Sequence, residues 1–163
     1  MRIPTVVAIA AVGLGLACWL FLGDSDERRI RKLFDRVSEE VRKDGPEPPF
    51  TEVAKARALA GHIAPRLRLE GLGGMRALTI DAADLPQRIV LFRRELQTFR
   101  VDFDQLTINV KADGTAQAFC NAKCAGLPEW VADQDAFALT VSLEKGDDGW
   151  RMRGLHAASF VPQ

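Results

Sequence analysis

The chain has 163 residues, 22 of them basic and 22 acidic, so its formal net charge is zero. That balance argues against a nucleic-acid binder, and 47% hydrophobic with 27% charged residues excludes both a disordered tail and a polytopic membrane protein. Cys18, Cys120 and Cys124 are the only cysteines, too few for a disulfide scaffold.

Ile3 to Gly23 is a run of 21 residues without a charge. As a helix it spans about 30 Å, the thickness of a bilayer core. Arg2 precedes it, and Asp24-Ser25-Asp26-Glu27-Arg28-Arg29 ends it abruptly. The expectation is one transmembrane helix in residues 1–23, with a single domain in residues 24–163 behind it. A cleaved signal peptide is the rival reading, although its apolar core is typically about 7–15 residues. Gly15-Leu16-Ala17-Cys18 is similar to a lipoprotein cleavage box. Gly15 stands where that pattern favours Leu, and Trp19-Leu20-Phe21-Leu22 stays apolar beyond Cys18. The plain reading of Cys18 is a small apolar residue facing lipid. Arg28, Arg29, Arg31, Lys32 and Arg36 would hold the domain in the cytoplasm by the positive-inside rule. Short N-terminal anchors of this shape nonetheless usually export the domain they carry, so the expected location is the extracytoplasmic, or periplasmic, side.

Asp26 to Lys43 predicts an amphipathic helix with Ile30, Leu33, Phe34, Val37 and Val41 in one stripe. Asp24, Asp26 and Glu27 suit its N-terminal end, and Arg42 and Lys43 the other. Asp44-Gly45-Pro46-Glu47-Pro48-Pro49 stops it. Thr51 to Ile63 predicts a second helix, with Val53, Ala56, Ala60 and Ile63 inward. Arg66-Leu67-Arg68-Leu69-Glu70 alternates as a short strand, and Arg76 to Asp81 returns after Gly71-Leu72-Gly73-Gly74. The third helix begins after Asp84 as N-cap, with Pro86 in the first turn and Gln87 completing a capping box. Leu85, Ile89, Phe92, Leu96 and Phe99 form its seam.

From Arg100 the period changes to two. Val101 and Phe103 share one parity, and Leu106, Ile108 and Val110 the other, so a bulge is expected near Asp104-Gln105. Asp113-Gly114 signals a hairpin, and Thr115 to Lys123 pairs back. Ala125 to Gln134 connects to Phe137-Leu139-Val141-Leu143, Gly146-Asp147-Asp148-Gly149 turns the chain, and Trp150 to Val161 is the last strand. Helices first and antiparallel strands afterwards predict an α+β fold, a bent sheet wrapped around helices.

This layout resembles the nuclear transport factor 2-like superfamily, including its SnoaL-like branch with a cystatin-like, cone-shaped domain. The local match is Glu144-Lys145-Gly146-Asp147-Asp148-Gly149-Trp150-Arg151-Met152, like the hairpin that leads many members into their final strand. The bulged strand after the third helix also fits. The resemblance implies three helices packed in the concave face of a bent, mainly antiparallel sheet, here preceded by a transmembrane helix. It implies no one activity, because the superfamily holds isomerases, dehydratases, hydrolases, transport adaptors and membrane-anchored secretion-system subunits. With no tyrosine in the chain, a tyrosine-based oxyanion hole is impossible.

His156 shares sequence parity with Trp150, Met152, Ala158 and Phe160, which would place it inside the cone as a general base or polar anchor. The plainer reading is a histidine satisfied at the edge or surface of the sheet. His62, at the end of the second helix, suits a cation on the helix dipole. Asp102 and Asp104 point to solvent unless the bulge turns Asp104 inward, where it would serve as an acid or base. Trp130 and Trp150 complete the candidate pocket residues, with core packing as the alternative. Cys120 and Cys124 can pair only if Asn121-Ala122-Lys123 curls, because four residues of straight strand span about 13 Å and a disulfide needs about 5.5 Å. Arg28, Arg29, Arg31 and Lys32 either touch anionic lipid or form a solvated helix face. No metal site or cofactor is implied.

The expected function is therefore a membrane-anchored, non-enzymatic binding or adaptor domain at the cell envelope. Its partners would be the membrane, an envelope protein or a second copy of itself, and not nucleic acid. The alternative is a SnoaL-like small-molecule enzyme or carrier with an apolar pocket.

Overall fold

The computed structural model describes residues 25–71, 77–127 and 136–159. Among these residues no helix is long and apolar enough to cross a membrane. The apolar run 3–23, with Cys18, lies outside them, as does Trp130.

Three helices, α1 (Asp26–Val41), α2 (Pro49–Gly61) and α3 (Leu85–Glu95), accompany six strands. These are β1 (Ile63–Glu70), β2 (Leu78–Asp81), β3 (Arg100–Val110), β4 (Thr115–Ala125), β5 (Ala136–Gly146) and β6 (Gly149–Ser159). They form one sheet in the order β2-β1-β6-β5-β4-β3, antiparallel except where β1 runs parallel to β6. The α+β class holds.

The α1 stripe lies where its periodicity puts it. Ile30, Leu33 and Phe34 are buried with Ala116, Ala118 and Cys120 of β4, Val141 and Leu143 of β5, and Trp150 and Met152 of β6. The small β4 side chains leave room for Ile30 and Phe34, and the Phe34 ring meets Phe103 edge-on with centroids 5.1 Å apart. Val141 thus lies in the core, with Leu139 packed against it. Ser25, one residue before α1, accepts a bond from the Arg28 amide and caps the helix. Asp26 receives the Trp150 indole N–H at 3.0 Å and the Lys145 ammonium at 2.9 Å. These bonds hold its carboxyl below the usual carboxylate range and pin the start of α1 to the β5–β6 hairpin.

The bulge in β3 forms as expected. The β3–β4 register shifts between Asp104 and Thr107, and Gln105 adopts a positive φ of 55°. Phe103, Leu106 and Ile108 consequently all reach the core. Gly114, with φ 78°, closes the β3–β4 turn, whose Lys111 amide donates to the Thr115 carbonyl.

Three local expectations are corrected. Asp84 makes no capping bond from its side chain, because its φ of −86° and ψ of −16° are already helical and no capping box closes. The inward side of α2 is Glu52, Ala56 and Leu59, and Ile63 belongs to β1. The α3 seam is only partly realised: Leu85 and Leu96 are buried, Phe92 is exposed, and Arg93 is buried beside them. The reason is that α3 packs chiefly on α2, and only α1 lies along the sheet.

Candidate functional site

The two side chains with the best catalytic prospects face away from the core. His156 is 56% exposed, with Nδ1 3.5 Å from the Glu70 carboxylate. Its parity with Trp150 and Met152 is broken by a register shift in the β5–β6 pair, where Ser142 faces Gly154 but Leu143 faces Met152. One extra residue, Arg153, turns Leu155 and Ala157 inward in place of His156. Asp104 is 48% exposed and ion-paired with Lys123 at 2.7 Å. Asp102 pairs with Arg100 at 2.9 Å, so the bulge does not carry either carboxylate inward. Trp150 is buried against α1, with its indole N–H donated to Asp26.

Cys120 and Cys124 are not joined, because β4 stays extended through both of them. Burial pushes the Cys120 thiol up to about 11, where almost no thiolate exists at neutral pH. In the native protein at pH 8, Cys120 should resist iodoacetamide, with alkylation at least about a hundredfold slower than after denaturation. Peptide mapping by mass spectrometry measures this, and equal rates in both states would contradict it. His62 sits at the C-terminal end of α2, and its Nε2 lies 3.1 Å from the Glu40 carboxylate as well as near the helix end. Arg28, Arg29, Arg31 and Lys32 lie on an exposed helix face, where Arg31 pairs with Glu27 at 2.9 Å.

Residues not singled out in the sequence form the most unusual feature of the domain. Lys43, Glu52 and Arg93 are all buried, and they join the end of α1 to α2 and α3. The last carbonyls of a helix have no partner within it. Arg93 supplies one from another helix: Nη1 donates to the Val41 carbonyl at 2.6 Å and the Glu40 carbonyl at 3.2 Å, and Nη2 to the Arg42 carbonyl at 3.3 Å and to Glu47. The expected helpers at that end, Arg42 and Lys43, turn elsewhere. Arg42 pairs with Asp44, while Lys43 donates to the Arg93 carbonyl at 2.7 Å and lies 3.5 Å from Glu52. Burial raises the Glu47 carboxyl, but bonds from Lys55 and Arg93 outweigh it and leave the group below its usual range.

Two concavities lie nearby. An apolar cleft of about 200 Å³ opens between α1, α2, α3 and β1, lined by side chains including Val41, Leu59, Leu67, Ile89, Phe92 and Arg93. Strands β3 to β6 contribute nothing to it, since their concave face is filled by the core. The Phe92 ring stands edge-on to Phe99 at its side, with centroids 5.7 Å apart. A shallower depression of about 550 Å³ includes Asp81 and Arg151, engaged with Arg66 and Asp148 respectively.

The outer face of the sheet has a different chemistry. One row runs Thr107, Phe119, Thr140, His156 across β3, β4, β5 and β6. The adjacent row runs Asn109, Gln117, Ser142, Gly154. From β3 to β5 neither row holds an Asp, Glu, Lys or Arg, and Phe119 stands 45% exposed there, whereas toward β1 the rows run into charge: Glu70 pairs with His156, Arg68 with Gly154, and the exposed Arg153 sits at the β6 bulge.

No protein-family model matches the sequence, and no curated protein does. Solved structures match the fold over most of the chain. A nuclear transport factor 2-like protein with a cystatin-like fold from Novosphingobium aromaticivorans aligns with a TM-score of 0.66 and 18% identity, covering 91% of this chain and 90% of that one. A dehydratase candidate of the nuclear transport factor 2-like family from Streptomyces avermitilis aligns at 0.63 and 14% identity, covering 85% and 99%. An aromatic ring hydroxylase candidate from Novosphingobium aromaticivorans aligns at 0.62 and 11%, covering 84% and 90%. The chain has the nuclear transport factor 2-like fold, but of the three helices expected against the sheet only α1 lies along it, because α2 and α3 pack chiefly on each other.

Proposed function

We propose that the protein is a membrane-anchored, non-enzymatic binding domain at the cell envelope, tethered by residues 3–23 on the extracytoplasmic side. Its docking surface is the outer face of the sheet, and its first partner there is a second copy of the chain. The observation that carries this reading is the patch around Phe119, where two neighbouring rows carry no charge from β3 to β5. A domain with 27% charged residues usually has solvated charges across an exposed sheet face. Depletion of charge around an exposed aromatic is the composition of an interface centre. A symmetric dimer brings the same patch against itself, and an uncharged patch does so without like-charge repulsion. The inward side chains of the cone support binding over proton transfer, since His156 and Asp104 both face solvent.

The test is light scattering on the detergent-solubilised full chain, with the detergent mass subtracted. A dimer is expected, and Phe119→Asp should weaken it at least about tenfold, as loss of one central aromatic does. Topology reporters fused at the C-terminus check the side of the membrane. A chain that stays monomeric and co-purifies with no stoichiometric protein would overturn the docking role. A cytoplasmic reporter signal would overturn the location.

A further inference from the structure

We propose that Arg28 and Arg29 of α1 bind the phosphates of anionic phospholipid in the bilayer that holds residues 3–23. The proposal rests on the anchor reading above and adds a lipid preference to it. Three observations carry it. First, the uncharged run ends at Gly23 and α1 begins at Asp26. Two residues of extended chain span about 7 Å, and the headgroup layer is itself about 5–7 Å deep. On the anchor reading, α1 therefore starts at the headgroup surface. Ser25, with φ −58° and ψ 145°, is not helical, so α1 begins afresh there and takes its direction from its own packing. Helical side chains lean towards the N-terminal end of their helix, which here is the bilayer end. Arg28 and Arg29 thus reach back towards the phosphates.

Second, both arginines are exposed, off the buried stripe of Ile30, Leu33 and Phe34, and neither forms an ion pair among the described residues. Third, the acids beside them are engaged elsewhere. Of the three acids between Gly23 and Arg28, Asp26 binds Lys145 and Trp150, and Glu27 pairs with Arg31 at 2.9 Å. The two guanidiniums therefore keep their charge for the lipid surface, and each presents a fork of N–H donors that fits a phosphate. The contact leaves the outer rows of the sheet free for a second copy, because α1 packs on the other face.

The experiment reconstitutes the full chain in phosphatidylcholine vesicles holding a trace of spin-labelled phosphatidylglycerol or spin-labelled phosphatidylcholine. Electron paramagnetic resonance reads the share of each labelled lipid held at the protein, after an alkaline wash has removed any chain not embedded. A basic side chain at a lipid surface favours an anion about fivefold, so wild type should prefer phosphatidylglycerol at least about twofold once the whole lipid shell is averaged. Arg28→Gln combined with Arg29→Gln should remove the preference. Arg36→Gln is the control. Arg36 is also exposed and without an ion pair among the described residues. It lies about 12 Å further along α1 than Arg28, beyond the screening length of about 8 Å, so its loss should leave the preference intact. The proposal is overturned if wild type shows no preference, if the double variant keeps it, or if Arg36→Gln removes it. A chain washed out of the vesicles overturns the anchor reading and this proposal together. Retention without preference overturns this proposal alone.

Discussion

Replacing Arg93 with alanine is expected to destabilise the domain by about 3–5 kcal/mol, the range for breaking a buried, hydrogen-bonded charge pair. The substitution leaves Glu47, 13% exposed at the side chain, with Lys55 as its one remaining cation, and it leaves the carbonyls of Val41 and Arg42 without that donor. Chemical denaturation of the solubilised chain measures the loss. Arg93→Met, which keeps the stem in the cleft, should recover little of it if charge and bonding dominate. A loss under about 1 kcal/mol for Arg93→Ala would mean that the exposed ends of these groups rehydrate freely. Acid behaviour supplies a second readout. Glu47 titrates below its ordinary value of 4.5 in the folded chain. A carboxyl depressed on folding stabilises above its unfolded pKa, and that contribution is lost as pH falls through the folded value. Native stability should therefore drop on acidification below about pH 4.5, and Arg93→Ala should show a flatter drop because one of the two cations holding Glu47 is gone.

Phe34→Ala should cost about 3–5 kcal/mol, in line with other buried aromatic truncations. Phe34 is 1% exposed, lies among Ile30, Val141 and Leu143, and supports the Phe103 ring edge-on. Its removal opens a void where helix and sheet meet, and the β4 neighbours, Ala116 and Ala118, are too small to fill it. Phe50, at 84% exposure, is the internal control, and Phe50→Ala should change stability by less than about 0.5 kcal/mol. Similar losses at the two positions would contradict the assignment of α1 as the central core helix.

The periodic parts of the structure are legible in the chain itself. The stripe of α1 and the alternation of Leu139, Val141 and Leu143 in β5 each place their apolar residues against the core. The β3 bulge is legible for the same reason: two parities in one strand demand an inserted residue, and the shift falls between Asp104 and Thr107. His156 shows where such arithmetic stops. The bulge at Arg153 has no comparable signature, since Gly154 has no side chain to mark its face and Ala158 is too small to betray an outward position. Arg93 is hidden differently. Four residues after Ile89, it occupies a seam position, but an arginine beside a second arginine and a glutamate reads as helix surface.

The α+β order, the apolar stripe of α1, the bulged strand and the resemblance to the nuclear transport factor 2-like fold are all written in the amino-acid sequence. Each depends on local periodicity or on turn residues, which act within a few residues of chain. The burial of polar groups together is instead a product of tertiary packing. Lys43, Glu52 and Arg93 lie far apart in the chain and meet because α2 and α3 close over the end of α1. The uncharged outer rows likewise exist only in the strand register, where Thr107, Phe119, Thr140 and His156 become neighbours. Contacts of that kind arise from how elements pack, and no local pattern in the chain encodes them.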